Sequence, residues 1–468
     1  MDTPRRDDRS PVEDPGRSLV SRSCRVNDAS FAAFLATYGA PRTRWTAPDG
    51  LEIAAAGTAG TITARGPDRF ETVRERATTL FETVDADGPT ATRPRLFGGF
   101  AFHADHESDP PWRGFPAARF VLPAVQLTRT DEETWLTVNR LDGDVAGDGG
   151  TELSPPLQAD SDFDTGRTED AERTLERARE TVASLPSMRS AGEPPGVAST
   201  RQPTARADWT QMIEQAVERI GAGDLQKVTL ATPLEVDLEA PLAIPDAVER
   251  LRRTYPECYR FLVQPSDGAS FFGASPERLV RLDGRYVETE ALAGSVARGD
   301  TPEADDAHAE TLTDSEKLRE EHEIVVDAIS EWLTPFGSVS IGDRGLRKLT
   351  NIQHLHTPIS ATLDRETHVL SLVEALHPTP AVGGLPREPA LTLLRDAETF
   401  DRGWYASPIG WFDAAGNGEF TVAIRSGVAD GRRATLFAGN GIVADSDPDE
   451  EWAEIQPKYR PVLDELER

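Results

Sequence analysis

Apolar residues along this chain recur in two rhythms. A period of two marks strands, as in LQKVTLATPLEV, YRFLVQP, ETWLTVNRL, RFVLPAVQLTRT and LTNIQHLHTPISATL. Spacings of three and four mark helices, as in DRFETVRERATTLFETV, TEDAERTLERARETVASL and DSEKLREEHEIVVDAISEWL; in the last, Leu318, Val325 and Ile329 share a face with Glu321 at its edge. A short helix is expected from Phe31 to Tyr38, a hairpin over LEIAAAGTAGTITARG, and a strand in LFGGFAFH. YRFLVQP and then SFFGASPERLVRLDGRYVETEALAGSVARG read as three strands, with turns at Pro265 to Gly268 and at Asp283-Gly284.

The densest pattern lies between Asp401 and Lys458. A strand from Phe420 to Arg425 would bury Val422 and Ile424 on one side and point Arg425 to the other. Leu436-Phe437-Ala438 runs into Gly439-Asn440-Gly441, whose bare backbone can approach a ligand. Asp447-Pro448 then starts a helix, which brings Glu451, Glu454 and Lys458 onto one face. Such a trio reads either as a solvated salt-bridge face or as a built site.

Residues 1–25 are rich in Arg, Asp and Pro without periodicity and are expected to be disordered. Residues 142–164 read as a loop, and 186–205 as a mobile connection between an N-terminal part (26–185) and a C-terminal part (206–468). A length of 468 residues allows two or three domains, or one large fold.

Composition narrows the function classes. Apolar residues make up 38% of the chain, no run approaches the length of a membrane span, and the first residues lack the apolar core of a signal peptide, so a cytoplasmic protein with no membrane partner is expected. Mean hydropathy is -0.45. Cys24 and Cys258 alone can build neither a disulfide framework nor a cysteine metal site. Acidic residues outnumber basic ones 80 to 50, a net charge of -30, which argues against a nucleic-acid partner.

Of the fifty basic residues only Lys227, Lys317, Lys348 and Lys458 are lysine. This acidic, arginine-dominated balance looks like that of a salt-adapted proteome, and stability is expected to fall when salt is withdrawn. Where lysine is so scarce, each survivor draws interest. Lys227 sits among Val228, Leu230 and Ala231, as a snorkelling edge residue or as a partly buried amine. Glu277, in the corner Ser275-Pro276-Glu277-Arg278, is a turn residue or a carboxylic acid held at a sheet lip. Gly294 and Ser295 offer N–H groups and a hydroxyl to an anion, and His354, His356 and His377 add imidazoles. No GxSxG elbow, Walker loop, HExxH or GxGxxG is present. Isolated carboxylates without thiolates suit a hard cation such as Mg2+, which expects a ligand from an anionic substrate.

Seven segments, in order, give these residues a family resemblance: QKVTLA, FFGASPERL, TEALAGSVARG, EHEIVVDAI, NIQHLHT, LHPTPAVGG, and RGWYASPIGW through SDPDEEWAEIQPK. Together they resemble the chorismate-utilising enzymes over nearly all of 208–468, and FGGFAFH and RFVLPAV match more weakly before that. The resemblance implies one α+β domain over 26–468, a four-layer α/β/β/α fold with two orthogonally packed large antiparallel sheets. It implies that Glu321 and Glu454 bind Mg2+, with Glu451 assisting through water. Arg425, Lys458 and Tyr405, with backbone at Gly439 and Gly441, would hold the enolpyruvyl carboxylate of chorismate. Gly294 and Ser295 would lie beside the ring carboxylate and His354 near the leaving group. Lys227 would activate water and Glu277 would protonate the departing 4-hydroxyl.

Within the family, Lys227 stands where anthranilate synthases usually carry glutamine, so no glutamine amidotransferase partner is expected. Ala293 stands where aminodeoxychorismate synthases have a lysine, and Ala381 where salicylate synthases tend to have threonine. The resemblance therefore implies formation of isochorismate, with menaquinone favoured over siderophores as the route served. Salicylate, anthranilate or aminodeoxychorismate synthesis is the alternative, and a catalytically inactive acidic binding protein is the reading from another class. Ser407 and Asn440 depart from the family pattern but are small enough to be tolerated.

Overall fold

Four places where the chain steps from one sheet into another decide the architecture. The computed structural model describes residues 18–130, 133–142, 171–350 and 352–467. Among these, strands form a sheet of thirteen and a sheet of ten, antiparallel except where Ser18–Val26 meets Val84–Ala86. Glu52–Ala56 belongs to the larger sheet and the next strand, Gly60–Ala64, to the smaller; their neighbours Val125–Arg129 and Ala118–Leu122 make the same step in reverse. The C-terminal half repeats the device. Ser270–Ser275 and Ser426–Asp430 pair in the larger sheet, and Arg278–Asp283 and Gly418–Val422 pair in the smaller.

These steps overturn two local expectations. LEIAAAGTAGTITARG is no hairpin: all five residues of Glu52–Ala56 are buried, so the strand takes partners on both sides within one sheet and its successor pairs in the other. The strand expected from Phe420 to Arg425 ends at Val422. Residues 423–425 are the step itself, and Arg425 adopts φ 52, a conformation that costs a non-glycine residue energy.

Order also begins earlier than composition suggested. Residues 18–25, expected to be disordered, lie in strand Ser18–Val26, paired along its length with Thr134–Asp142. Leu19 and Ser21 are buried at the strand period, and the partner that orders them is more than a hundred residues away. The expectations for residues 1–17, and for the 142–164 loop beyond residue 142, lie outside the described residues. The supposed mobile connection 186–205 is tied down as well. Val197–Arg201 pairs with Lys227–Leu238, Arg189 bridges to Asp246 at 2.5 Å, and Gly196 N–H donates to the Leu466 carbonyl.

One core cluster contains the inner residues of both sheets, among them Trp45 and Phe271 of the larger and Phe100, Phe120 and Phe420 of the smaller. The Tyr259 hydroxyl crosses between them to donate to Glu419 at 2.8 Å. Helix Glu316–Leu333 packs on Tyr286–Ala297 and Ile352–Leu363 of the smaller sheet, and helix Pro448–Leu463 on Arg433–Ile442 of the larger. Helices thus back both sheets, the four-layer arrangement expected. Among the described residues no helix is long and apolar enough to cross a membrane.

Candidate active site

The second pair of sheet steps forms a corner at which Glu277 and Arg425 meet. The two crossings are laced together: Ala274 N–H donates to the Arg425 carbonyl at 3.1 Å, Val422 N–H to the Glu277 carbonyl at 3.1 Å, and the Ser275 hydroxyl to the Val422 carbonyl at 2.5 Å. This backbone fixes where both side chains begin. They open into a cavity of about 290 Å3 lined by Lys227, Glu277, Gly294, Ser295, Glu321, His354, Tyr405, Arg425, Gly439, Gly441, Glu451, Glu454 and Lys458, whereas His356, His377 and Lys348, also singled out from the sequence, lie outside it.

Burial settles the open question at Lys227. The residue is only 1% exposed, so it is no snorkelling edge lysine, and its Nζ donates to Glu321 Oε1 at 2.8 Å. Gly441 is the neighbour that makes room. A Cβ there would stand 2.6 Å from Lys227 Cε and 2.7 Å from Glu321 Oε1. Behind Lys227, Arg402 donates to the Val382 and Thr229 carbonyls while its partner Glu398 accepts Ala231 N–H at 2.9 Å. This buried ion pair fastens the 379–383 loop to the lysine-bearing strand.

Glu277 is buried, and burial pushes its carboxyl up to about 8; Glu290 adds to the effect, while Lys227, Arg425 and Arg347 oppose it. At neutral pH it is a carboxylic acid with a proton to give. Burial also drives His354 well below the ordinary histidine range, so its ring is neutral. Its Nδ1 lies 3.0 Å from the Ser295 hydroxyl and 3.3 Å from the Gly294 carbonyl, and its buried Nε2 has no partner. Gly294 takes φ 69 at a bulge between Ala293 and Ser295, turning this segment toward the cavity. Tyr405 stacks on Phe437 with centroids 5.2 Å apart, and burial raises its hydroxyl to about 12.

The helix face read from spacing is present. Asp447 caps Pro448–Leu463, and Lys458 Nζ donates to Glu454 Oε1 at 2.8 Å and to the Gly439 carbonyl at 3.1 Å. Burial works to raise Glu454, but the Lys458 charge and hydrogen bond outweigh it and hold the carboxyl below its ordinary value. Burial, then Glu454, raises Glu451. Glu451 accepts from Ser446 at 2.8 Å and from Asn440 at 2.9 Å, and Lys458 also donates to the Asn440 amide oxygen. Asn440 is thus a working part, which its size alone did not reveal. Also missed were Lys317, at the rim 3.8 Å from Asp445, and Thr229, Ile424 and Glu450 of the lining. The scarcity of lysine was the one signal for Lys317.

The donor chemistry fits a hard divalent cation. Glu321, Glu451 and Glu454 offer only oxygen to the cavity, with no thiolate in its lining. Among the described residues no three His, Cys, Asp or Glu side chains are gathered closely enough to hold a metal ion by themselves.

Fold and site together define a class. The chain belongs to the chorismate-binding enzymes, whose family model matches residues 11–467. It is 38% identical over 385 residues to isochorismate synthase MenF of Bacillus subtilis, covering 81% of this chain and 75% of that protein. It is equally, 38%, identical over 416 residues to the salicylate biosynthesis isochorismate synthase of Pseudomonas aeruginosa, covering 88% and 81%. The menaquinone-specific isochorismate synthase MenF of Escherichia coli superposes with a TM-score of 0.75 at 25% identity, over 97% of this chain and 95% of that one. Anthranilate synthase component I of Streptococcus pneumoniae shares the fold, with a TM-score of 0.70 at 20% identity over 89% and 93%.

Proposed function

We propose that this protein is an isochorismate synthase: it adds water at C2 of chorismate and expels the 4-hydroxyl. One observation carries the reading. A buried amine, Lys227, and a buried carboxylic acid, Glu277, line the same cavity as the cations Arg425 and Lys458. The first two can exchange protons with a substrate, and the last two can hold a dianion in a strongly acidic protein.

In the proposed reaction Lys227 Nζ takes a proton from water as its oxygen bonds to C2. The ring double bonds shift, the C4–O bond breaks, and Glu277 gives its proton to the departing hydroxyl, which leaves as water. Arg425, Lys458 and Tyr405, helped by backbone at Gly439 and Gly441, hold the enolpyruvyl carboxylate. Gly294, Ser295 and His354 line the ring side. Mg2+ is the proposed cofactor, held by Glu321 and Glu454 with Glu451 assisting through water, and when bound it supplies positive charge for the ring carboxylate. The reading takes the chain from residue 18 onward as one domain acting without a glutaminase, in the cytoplasm, with menaquinone as the route served.

Incubation with chorismate and Mg2+ in high salt, followed by product separation, tests it. Isochorismate alone is expected. Salicylate with pyruvate, anthranilate in the presence of ammonia, or no turnover would each overturn it.

A further inference from the structure

Glu277 is flanked by two peptide groups, and one cluster behind the corner holds both. Arg347 Nη1 donates to the Pro276 carbonyl at 3.0 Å, and Arg278 N–H donates to Glu290 Oε1 at 2.9 Å. Glu290 and Arg347 are themselves joined by two parallel bonds of 2.6 and 2.7 Å, and His356 Nε2 lies 3.0 Å from Glu290 Oε2. The three side chains come from three adjacent strands of the smaller sheet, Tyr286–Ala297, Gly345–Lys348 and Ile352–Leu363. They line a second cavity, of about 280 Å3, which contains none of the residues assigned to chemistry.

We infer that Glu290 and Arg347 form a positioning bracket for the acid Glu277, fixing its backbone on both sides and setting the charge behind its carboxyl. The inference rests on the reading of Glu277 as the proton donor. The two peptide groups gripped are those on either side of the acid itself. Electrostatics agrees with the geometry. Burial works to raise Glu290, but His356 and Arg347 outweigh it and hold the carboxyl down at about 2, so its negative charge persists at every working pH. The charged or titratable groups facing Glu277 are Glu290 and Arg347 from the bracket, Lys227 from the larger sheet, and Arg425 and Tyr405 from the corner and its neighbouring loop. Among the first four, Glu290 alone favours the protonated acid.

The two members of the bracket therefore pull in opposite directions, which gives the test its sign. The pH dependence of kcat is measured on the full chain with Mg2+ and salt, for wild type, Glu290→Gln and Arg347→Gln. Glu290→Gln should move the alkaline limb to lower pH by half a unit or more, and Arg347→Gln should move it to higher pH, both with KM for chorismate within about threefold of wild type. A uniform loss of kcat with the limb in place, or an effect confined to KM, would overturn the bracket. If Glu290→Gln does not fold, the direction of the Arg347→Gln shift decides. Glu277→Gln separates the two levels. Should it retain turnover and the same limb, the acid assignment fails and the bracket with it. Should it abolish turnover while the limbs of the other two variants stay put, only the bracket fails.

Discussion

Lys227 Nζ rests 2.8 Å from Glu321 Oε1, joining a strand of one sheet to a helix that backs the other. The amine side is sealed, at 1% exposure of the side chain, and the carboxylate side, at 13%, looks into the cavity. Lys227→Ala should therefore leave Glu321 free to be solvated from the cavity, sparing it the penalty of a fully buried orphan charge. Turnover should fall ~10²–10⁴-fold, the usual worth of a positioned base. Circular dichroism and the melting curve should stay close to wild type, and wild-type turnover in this variant would refute the role.

Gly441→Ala tests the same pair from the other side. The added methyl would press first on the ends of two side chains, Lys227 Cε and Glu321 Oε1, its nearest neighbours. The fold can yield there and the catalytic geometry cannot. Activity should drop about tenfold or more with a melting temperature near that of wild type. Full activity would show that the Lys227–Glu321 spacing carries no function.

Glu277 should leave a mark on stability as well as on rate. Unfolded, its carboxyl releases a proton near the ordinary 4.5; folded, it holds on until about 8. Between those values the folded state binds a proton that the unfolded state lacks, so this group's contribution to stability shrinks as pH rises from about 4.5 to about 8. Glu277→Gln removes that loss. Calorimetry should find the variant's melting temperature gaining on wild type between pH 5 and pH 8 while its activity disappears. A constant difference across that range would contradict the raised carboxyl.

Glu454→Gln addresses the cation. The Glu454 side chain is 43% exposed, so its bridge to Lys458 is worth at most about 1 kcal/mol and its loss should hardly move the melting temperature without metal. The Mg2+ concentration for half-maximal turnover should rise about tenfold or more. An unchanged titration would remove Glu454 from the proposed ligands.

Local signals carried much of this site. The helix face with Glu451, Glu454 and Lys458 follows from an N-cap and a period, both properties of a dozen neighbouring residues. Lys227 stood out because lysine is nearly absent elsewhere. What stayed hidden depends on distant partners. Nothing within LEIAAAGTAGTITARG tells its two strands to join different sheets, since Val125–Arg129 and Ala118–Leu122 make that choice. Likewise, Phe420 to Arg425 alternates like one strand, yet its last residues bend at the corner where Ala274 binds the Arg425 carbonyl. Strand Ser18–Val26 and the 186–205 segment carry no local signal of order for the same reason: their order comes from pairing across the molecule.

The sparse lysines have a practical corollary for handling the protein. Lys227 and Lys458 are buried and Lys348 is engaged with Asp305, while Lys317, 31% exposed, stands at the cavity rim. Coupling chemistries that tether proteins to beads or dyes through side-chain amines therefore have few handles, and one of them lies beside the entrance. Labels aimed at carboxylates would find a far larger choice of anchoring points away from the doorway.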